Sequence, residues 1–123
     1  VILLDCRYHR DTLMQDSNKK FIPNLKGDIL GEEQWTWLEK QLSSSADAYV
    51  IGSSIQVLSA EHPHEKWTNF PTAKKRLMDL LVKTKPKGVI LLSGDRHIGE
   101  FSKTQIIGLN FPLYDITSSG LTN

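Results

Sequence analysis

Three short aliphatic runs, separated by two helical patterns, constrain the fold more than any other feature of the chain. The runs occupy residues 1–4, 48–57 and 89–93, and each gives way to small or polar residues. Residues 30–42 and 71–84 place apolar side chains at helical spacing, which indicates amphipathic helices. Strands that alternate with helices favour an α/β fold, so we expect the three strands to lie parallel in one sheet.

The remaining segments have weaker patterns. Residues 12–28 are polar and contain Pro23 and Gly27, so we expect a long loop, which at this length is either functional or loosely ordered. Residues 104–109 and 112–118 are typical of two shorter strands. No internal repeat or linker interrupts the chain, and 123 residues suffice for one domain.

Composition argues against several classes of function. With 39% hydrophobic and 24% charged residues the chain has an ordinary globular composition. A net charge of +1 and the lack of a basic stripe argue against nucleic-acid binding. No apolar run approaches the roughly 20 residues of a membrane span. Cys6 is the only cysteine, which excludes an intrachain disulfide and a cysteine-rich zinc site.

Polar side chains lie at the carboxyl ends of all three predicted parallel strands. In chain order they are Asp5, Arg7, Tyr8, Ser54, Gln56, Asp95, Arg96 and His97. The carboxyl ends of parallel strands meet at the sheet edge where α/β proteins bind ligands. Carboxylate, amide and imidazole groups suit Mn, Fe, Zn or Ca, and guanidinium groups match phosphate oxygens. Together they predict metal-assisted hydrolysis of a phosphate ester.

Other chemistries have weaker support. Residues 94–97 could form an ordinary turn at a strand end. Residues 52–56 lack the second glycine of a nucleophile elbow, and no glycine-rich phosphate loop occurs. His62 and His64 could chelate a metal, but no third ligand has regular spacing to them. Cys6 lies beside Arg7 and could be an activated thiol, although a structural cysteine fits a strand end better.

Six segments, in this order, carry a resemblance to a known family. They are LDCRY at 4–8, ILGEEQWTWL at 29–38, SSIQ at 53–56, EKWTNFP at 65–71, GDRH at 94–97 and LYDITSSGL at 113–121. The chain resembles the C-terminal part of a PhoD-like metallophosphatase, within the calcineurin-like superfamily. The resemblance implies a four-layer α/β/β/α sandwich with two metals between its sheets. It also implies that metal-activated hydroxide hydrolyses phosphate mono- or diesters.

The resemblance assigns metal ligands to two residues and a candidate role to a third. Asp95 and His97 match the family's late Gly-Asp-x-His motif and are expected to bind metal. Gln56 ends a strand that carries a histidine ligand in the wider superfamily, so it lines the site and is a further candidate ligand. The expected cofactors are divalent or trivalent ions, with Fe, Ca, Mn and Zn as alternatives.

The resemblance also places residues around the substrate. Arg7 and Asp5 match an Asp-x-Arg segment beside the site, where they would contact phosphate or support the ligands. Ser54 and Arg96 are expected to line the same substrate region. Arg7 and His97 are therefore the expected catalytic residues. Cys6 replaces a small hydroxyl residue of the family pattern, which we interpret as a tolerated exchange.

One departure from the family pattern qualifies this interpretation. The N-terminal motifs that supply the superfamily's first ligands are absent, so residues 1–123 are expected to be the C-terminal portion of one domain. We expect the chain alone to be inactive and its full-length parent to be active. We also expect the isolated chain to be either poorly soluble or oligomeric, because one sheet face and an edge strand would lack partners. The alternatives are a catalytically silent remnant or a binding module that uses residues 62–70 and 74–76. The resemblance is to a family whose members are often secreted or membrane-associated, and we expect the segment that directs this to lie outside residues 1–123.

Overall fold

A five-stranded mixed sheet organises the chain. A computed structural model describes residues 1–120, so Leu121 of the last resemblance segment lies outside the described residues. The strands are β1 (Ile2–Leu4), β2 (Met14–Gln15), β3 (Phe21–Ile22), β4 (Tyr49–Ser53), β5 (Val89–Ser93), β6 (Gly99–Thr104) and β7 (Leu113–Ser118). The main sheet has the order β1-β4-β5-β7-β6, and β2 pairs with β3 separately. The pairs β1–β4, β4–β5 and β5–β7 are parallel. The predicted α/β class is confirmed, and so is the parallel arrangement of the three strands predicted from the aliphatic runs, which are β1, β4 and β5.

Both predicted helices form, and their ends follow local chemistry. Helix α1 spans Glu32–Leu42, with two glutamates in its first turn, where the helix dipole favours negative charge. Helix α2 spans Pro71–Thr84 and begins with proline, which needs no hydrogen-bond acceptor there. A 3-10 helix, Trp67–Asn69, directly precedes α2. None of the helices within residues 1–120 is long and apolar enough to cross a membrane.

The core lies between the helices and one face of the sheet. Trp35 of α1 packs edge-to-face against Trp67, with ring centroids 6.2 Å apart. The Nε1–H of Trp35 donates to Asp28, and the guanidinium of Arg76 lies 4.6 Å above the Trp35 ring. The tryptophan that leads the helical stripe of α1 is therefore a core residue, as its spacing predicts.

The opposite sheet face is open and apolar. Leu3 is 74% exposed and Phe101 is 79% exposed, and Leu92 and Ile90 are also exposed. The register aligns Leu3, Leu92 and Phe101 in one row across the sheet, since Leu3 pairs with Gly52, Gly52 with Leu92, Leu92 with Ile116, and Ile116 with Phe101. A continuous apolar row of this kind is unusual for a sheet face that meets water.

Three boundaries differ from the sequence-based expectation. The prediction of a strand at 104–109 is wrong. The strand that forms is β6, and its antiparallel register with β7 runs from the Gly99–Ser118 pair to the Thr104–Leu113 pair. The apolar Ile106 and Ile107 fall in the connection, where Ile106 packs on the core and Ile107 is exposed. The loop 12–28 contains the small β2–β3 hairpin. The second strand ends at Ser53, because the hydroxyl of Ser53 donates to the carbonyl of Ile55 and turns the chain.

The two faces of β5 allow a direct test of this packing. Leu91 is completely buried, and its neighbour Leu92 lies on the open face. We expect Leu91→Ala to lower the free energy of unfolding by about 2–5 kcal/mol, because it leaves a cavity in the core. Leu92→Ala should cost about 1 kcal/mol or less. Chemical denaturation of both variants measures this, and equal losses would contradict the assignment of the faces.

Candidate functional site

The loop that follows β5 has an unusual backbone. Asp95 has a φ of 75° and His97 a φ of 55°, both in the left-handed region that side chains with a Cβ rarely adopt. Such conformations cost about 1–3 kcal/mol each and persist only where the surroundings enforce them. Here the N–H of Gly94 donates to the carbonyl of Ser53 at 3.2 Å, and the N–H of His97 donates to the Ser119 hydroxyl at 2.9 Å. The β4 and β7 ends therefore hold this loop.

The loop that follows β1 brings Arg7 to Asp95. An Nη2–H of Arg7 donates to Oδ1 of Asp95 at 3.4 Å. The Arg7 side chain is 48% exposed, so part of the guanidinium still faces solvent. The structure thus unites two of the predicted site residues, which lie 88 positions apart in the sequence.

Asp5 shapes the turn that carries Arg7. Its Oδ1 accepts hydrogen bonds from the backbone N–H of Arg7 at 2.8 Å and of Tyr8 at 3.0 Å. These backbone hydrogen bonds, that of Tyr8 first, lower the pKa of the Asp5 carboxyl. The Gln34 side chain from α1 accepts from the Asp5 N–H and donates to its carbonyl, both at 2.9 Å. In this arrangement the Asp5 carboxylate supports Arg7 from within its own loop.

Arg7 also binds Glu65, a residue to which the sequence-based prediction assigned no role in the site. One Nη1 of Arg7 donates to both carboxylate oxygens of Glu65, at 2.9 and 2.7 Å. Arg10 pairs with the same carboxylate. Burial is the main cause that lowers the pKa of the Arg10 guanidinium, and the charge of Arg7 adds to it. The available signal was that Glu65 opens the fourth resemblance segment, but its contact with Arg7, 58 positions earlier, has no local pattern.

Gln56 lies at the edge of the site and is 1% exposed. Its Nε2 donates to the Thr117 hydroxyl at 2.7 Å and to Glu100 at 3.2 Å. Its Oε1, the atom that would bind a metal, accepts from Nη1 of Arg96 at 3.4 Å. This brings together two further predicted site residues. Ser54 is exposed on the same loop, and its carbonyl closely approaches Gly94.

The buried carboxylate of Asp115, which was also not predicted from the sequence, holds the segment that follows Gln56. Asp115 on β7 accepts hydrogen bonds from the backbone N–H groups of Val57 and Leu58, each at 2.9 Å. Its second oxygen accepts from the Ser93 hydroxyl at 2.6 Å. The carboxylate thus joins β7 to the last residue of β5 and to the loop that carries Gln56. An apolar strand context hid this residue, because alternation on β7 predicts which face it occupies and not its partners.

Comparison with known proteins identifies the family. The model of the PhoD-like phosphatase family matches residues 1–115. The chain belongs to the PhoD-like phosphatase family. A solved structure described as "Structure of PhoD" superimposes with a TM-score of 0.73 at 21% sequence identity, which shows that the fold is shared. The alignment covers 98% of this chain and 26% of that structure, so the chain spans about a quarter of the protein it matches. No curated protein sequence matches the chain.

The PhoD-like chain does not present a complete metal site in its described part. Within residues 1–120, no group of three or more His, Cys, Asp or Glu side chains is arranged to hold a metal ion. The rings of His62 and His64 lie 5.8 Å apart, and the N–H of His64 donates to Nδ1 of His62 at 3.1 Å. Cys6 is fully buried, with its sulfur 3.4 Å from the Ser53 hydroxyl oxygen, so the structure does not favour a reactive thiol.

The buried carboxylate of Asp115 yields a prediction about stability. Asp115→Asn keeps the shape but removes the negative charge, and its amide has one accepting oxygen where the carboxylate has two. We expect the free energy of unfolding to fall by about 1–3 kcal/mol, because the hydrogen bonds from the backbone N–H groups of Val57 and Leu58 lose their charge-assisted strength. Denaturation measures the change. Asp47→Asn is the control, since Asp47 is fully exposed and pairs with Lys87 on the surface. A loss no larger than that of the control would contradict the anchoring role.

His62 yields a prediction about pH. Burial, assisted by the charges of Arg96 and Lys66 and by His64, lowers the pKa of His62 from 6.5 to about 4, against the opposing charge of Glu100. The unfolded chain therefore binds a proton at a pH where the folded chain does not. Stability should fall as the pH is lowered from 6.5 towards 4.

Denaturation at a series of pH values tests this effect. In His62→Gln the fall in stability over this pH range should be smaller than in the unaltered chain. His64→Gln is the matched control, because His64 is exposed on the same loop. If the His62 and His64 variants follow the same pH profile, the assignment of the shifted pKa to His62 is wrong.

Proposed function

We propose that the protein is a metal-dependent phosphoesterase and that this chain supplies one side of its active site. The observation that carries the proposal is the loop after β5, a strand with parallel neighbours on both sides. Its left-handed backbone carries Asp95 and His97 at the carboxyl end of that strand, with Arg7 in contact with Asp95. Family membership supports a phosphatase-type reaction. The substrate is then a phosphate mono- or diester.

Asp95 and His97 are the residues that would hold a metal ion. A carboxylate and an imidazole suit Fe, Mn or Zn, and the carboxylate also suits Ca. The chemistry of this donor pair fits a metal ion. The left-handed backbone at both residues is consistent with this role, because strained backbone conformations are concentrated at functional sites. A metal bound there supplies Lewis acidity that polarises the ester and acidifies water. Two ligands bind an ion weakly, so the remaining ligands are proposed to come from another portion of the domain.

Arg7 and Arg96 would bind the phosphate group. Arg7 contacts Asp95, and Arg96 follows Asp95 in the same loop. Each guanidinium has planar N–H donors that match phosphate oxygens. Arg7 is held by acidic partners, and Arg96 is held by the buried amide of Gln56. Gln56 therefore acts in this proposal by orienting Arg96, and Ser54 lines the adjacent surface.

The open sheet face supports the proposal that residues 1–123 are the C-terminal portion of a larger phosphatase domain. Its row of Leu3, Leu92 and Phe101 offers an apolar surface for a second sheet. Sheets pack face to face at about 10 Å when both faces are apolar. Such a sheet would complete an α/β/β/α sandwich and could bring the remaining ligands to the same edge. The chain alone would then be catalytically silent, because part of the ligand set would lie on that second sheet.

Asp95→Asn in the full-length protein that contains this chain tests the proposal. Asparagine tolerates the left-handed conformation of residue 95, so the fold should survive. The substitution removes the charge of a metal ligand, and we expect turnover of a phosphodiester in the presence of Mn, Fe or Ca to fall by at least about 100-fold. Bound metal, measured by mass spectrometry, should fall as well.

Asp47→Asn serves as the matched control, because it removes an exposed carboxylate away from the site. Unchanged turnover and unchanged metal content in the Asp95 variant would refute its assignment as a ligand. A full-length protein that neither binds metal nor hydrolyses phosphate mono- or diesters would favour a catalytically silent remnant.

A further inference from the structure

Glu65 holds a central position in the charged cluster of the site. Its side chain is only 16% exposed. Both of its oxygens accept hydrogen bonds from Nη1 of Arg7, and Arg10 pairs with the same carboxylate. The charges alternate along the chain of contacts from Arg10 through Glu65 and Arg7 to Asp95. An alternating arrangement of this kind balances each charge by its neighbours.

We infer that Glu65 is a positioning residue for the phosphate-binding arginine, Arg7. This inference rests on the proposed function and deepens it. A long, half-exposed arginine side chain samples many rotamers, and binding a phosphate would require it to lose that freedom. Glu65 removes part of this freedom beforehand, because it fixes Nη1 with a charge-assisted contact. Phosphate binding then costs less entropy.

The same contact decides which part of the guanidinium faces the site. With Nη1 committed to Glu65, Nη2 is the nitrogen that points to Asp95. The 3.4 Å separation between Nη2 and Oδ1 of Asp95 is long for a charged hydrogen bond. A phosphate oxygen beside Asp95 would therefore compete for the Nη2–H, while Nη1 keeps its hydrogen bonds to Glu65.

The backbone that carries Glu65 is well anchored. Immediately after it, the N–H of Lys66 donates to the Asn69 side chain at 2.8 Å, and the N–H of Trp67 donates to the carbonyl of Gln56 at 3.0 Å. The fully buried Trp67 donates its Nε1–H to the Ser53 hydroxyl at 3.1 Å. Glu65 therefore transmits the rigidity of the core to a side chain at the rim of the site.

A double-mutant cycle in the full-length protein tests the inference. The variants are Glu65→Gln, Arg7→Ala and their combination, with Glu61→Gln as the control. Glu61 is an exposed carboxylate on the same loop that makes no ion pair with Arg7. The measurements are the inhibition constant of inorganic phosphate, together with KM and kcat for a phosphate ester. Denaturation of each variant shows whether it folds.

The expected result is a loss of phosphate affinity that depends on Arg7. Glu65→Gln should raise the inhibition constant of phosphate and KM by about tenfold, with a smaller effect on kcat. In the Arg7→Ala background the same substitution should change the inhibition constant by less than about twofold, because residues that act together are not additive. Glu61→Gln should behave as the unaltered protein does.

The opposing outcomes separate this inference from the proposed function. An equal loss on Glu65→Gln with and without Arg7 would overturn the inference and show a purely structural role. Unchanged phosphate affinity in either Glu65→Gln or Arg7→Ala would also overturn it, although metal-dependent hydrolysis by the unaltered protein would leave the proposed function standing. A full-length protein without any phosphoesterase activity would refute the proposed function, and the inference with it.

Discussion

The arrangement of the site depends on the hydrogen bonds that the buried carboxylate of Asp115 accepts. Parallel strands place their carboxyl ends at one edge, but they do not determine how the loops leave that edge. Asp115 does so, because it accepts hydrogen bonds from two successive backbone N–H groups beyond β4 and from Ser93 at the end of β5. An apolar residue at this position would leave those donors unsatisfied in the interior. The loop that carries Gln56 would then lose its backbone hydrogen bonds to β7 and keep its side-chain bond to Thr117.

The site shows a gradient from a rigid interior to a solvated rim. Gln56 is buried and bonded to β7, Arg96 is bonded to Gln56, and Arg7 is half-exposed between two acidic groups. Each residue closer to solvent is held by one that is better packed. This order suits a site for a charged ligand, because the interior partners fix geometry while the outer guanidinium groups keep donors for an incoming anion.

Periodicity predicted the helices and three parallel strands, because apolar side chains on one face of each element form a single core. It failed at β6, because the half-buried face of that strand carries the polar side chains of Glu100, Ser102 and Thr104, whereas the nearby apolar Ile106 packs on the core from a connection. The candidate site followed the same division. Strand-end position predicted that Arg7 approaches Asp95, but Glu65 and Asp115 act through partners that are distant in sequence. Such partners become visible only when the chain is folded.

The left-handed residues of the loop after β5 have a consequence for how this site can evolve. Glycine, asparagine, aspartate and histidine tolerate such a backbone better than β-branched residues do. The left-handed conformation at Asp95 and His97 therefore limits which side chains these two positions can carry without destabilising the fold, whatever their ability to bind a ligand. Exchanges among short polar side chains remain accessible by single steps. A glutamate at residue 95 would bring both a longer reach and an unfavourable backbone. The fold itself thus restricts the ligand sets that this edge of the sheet can explore.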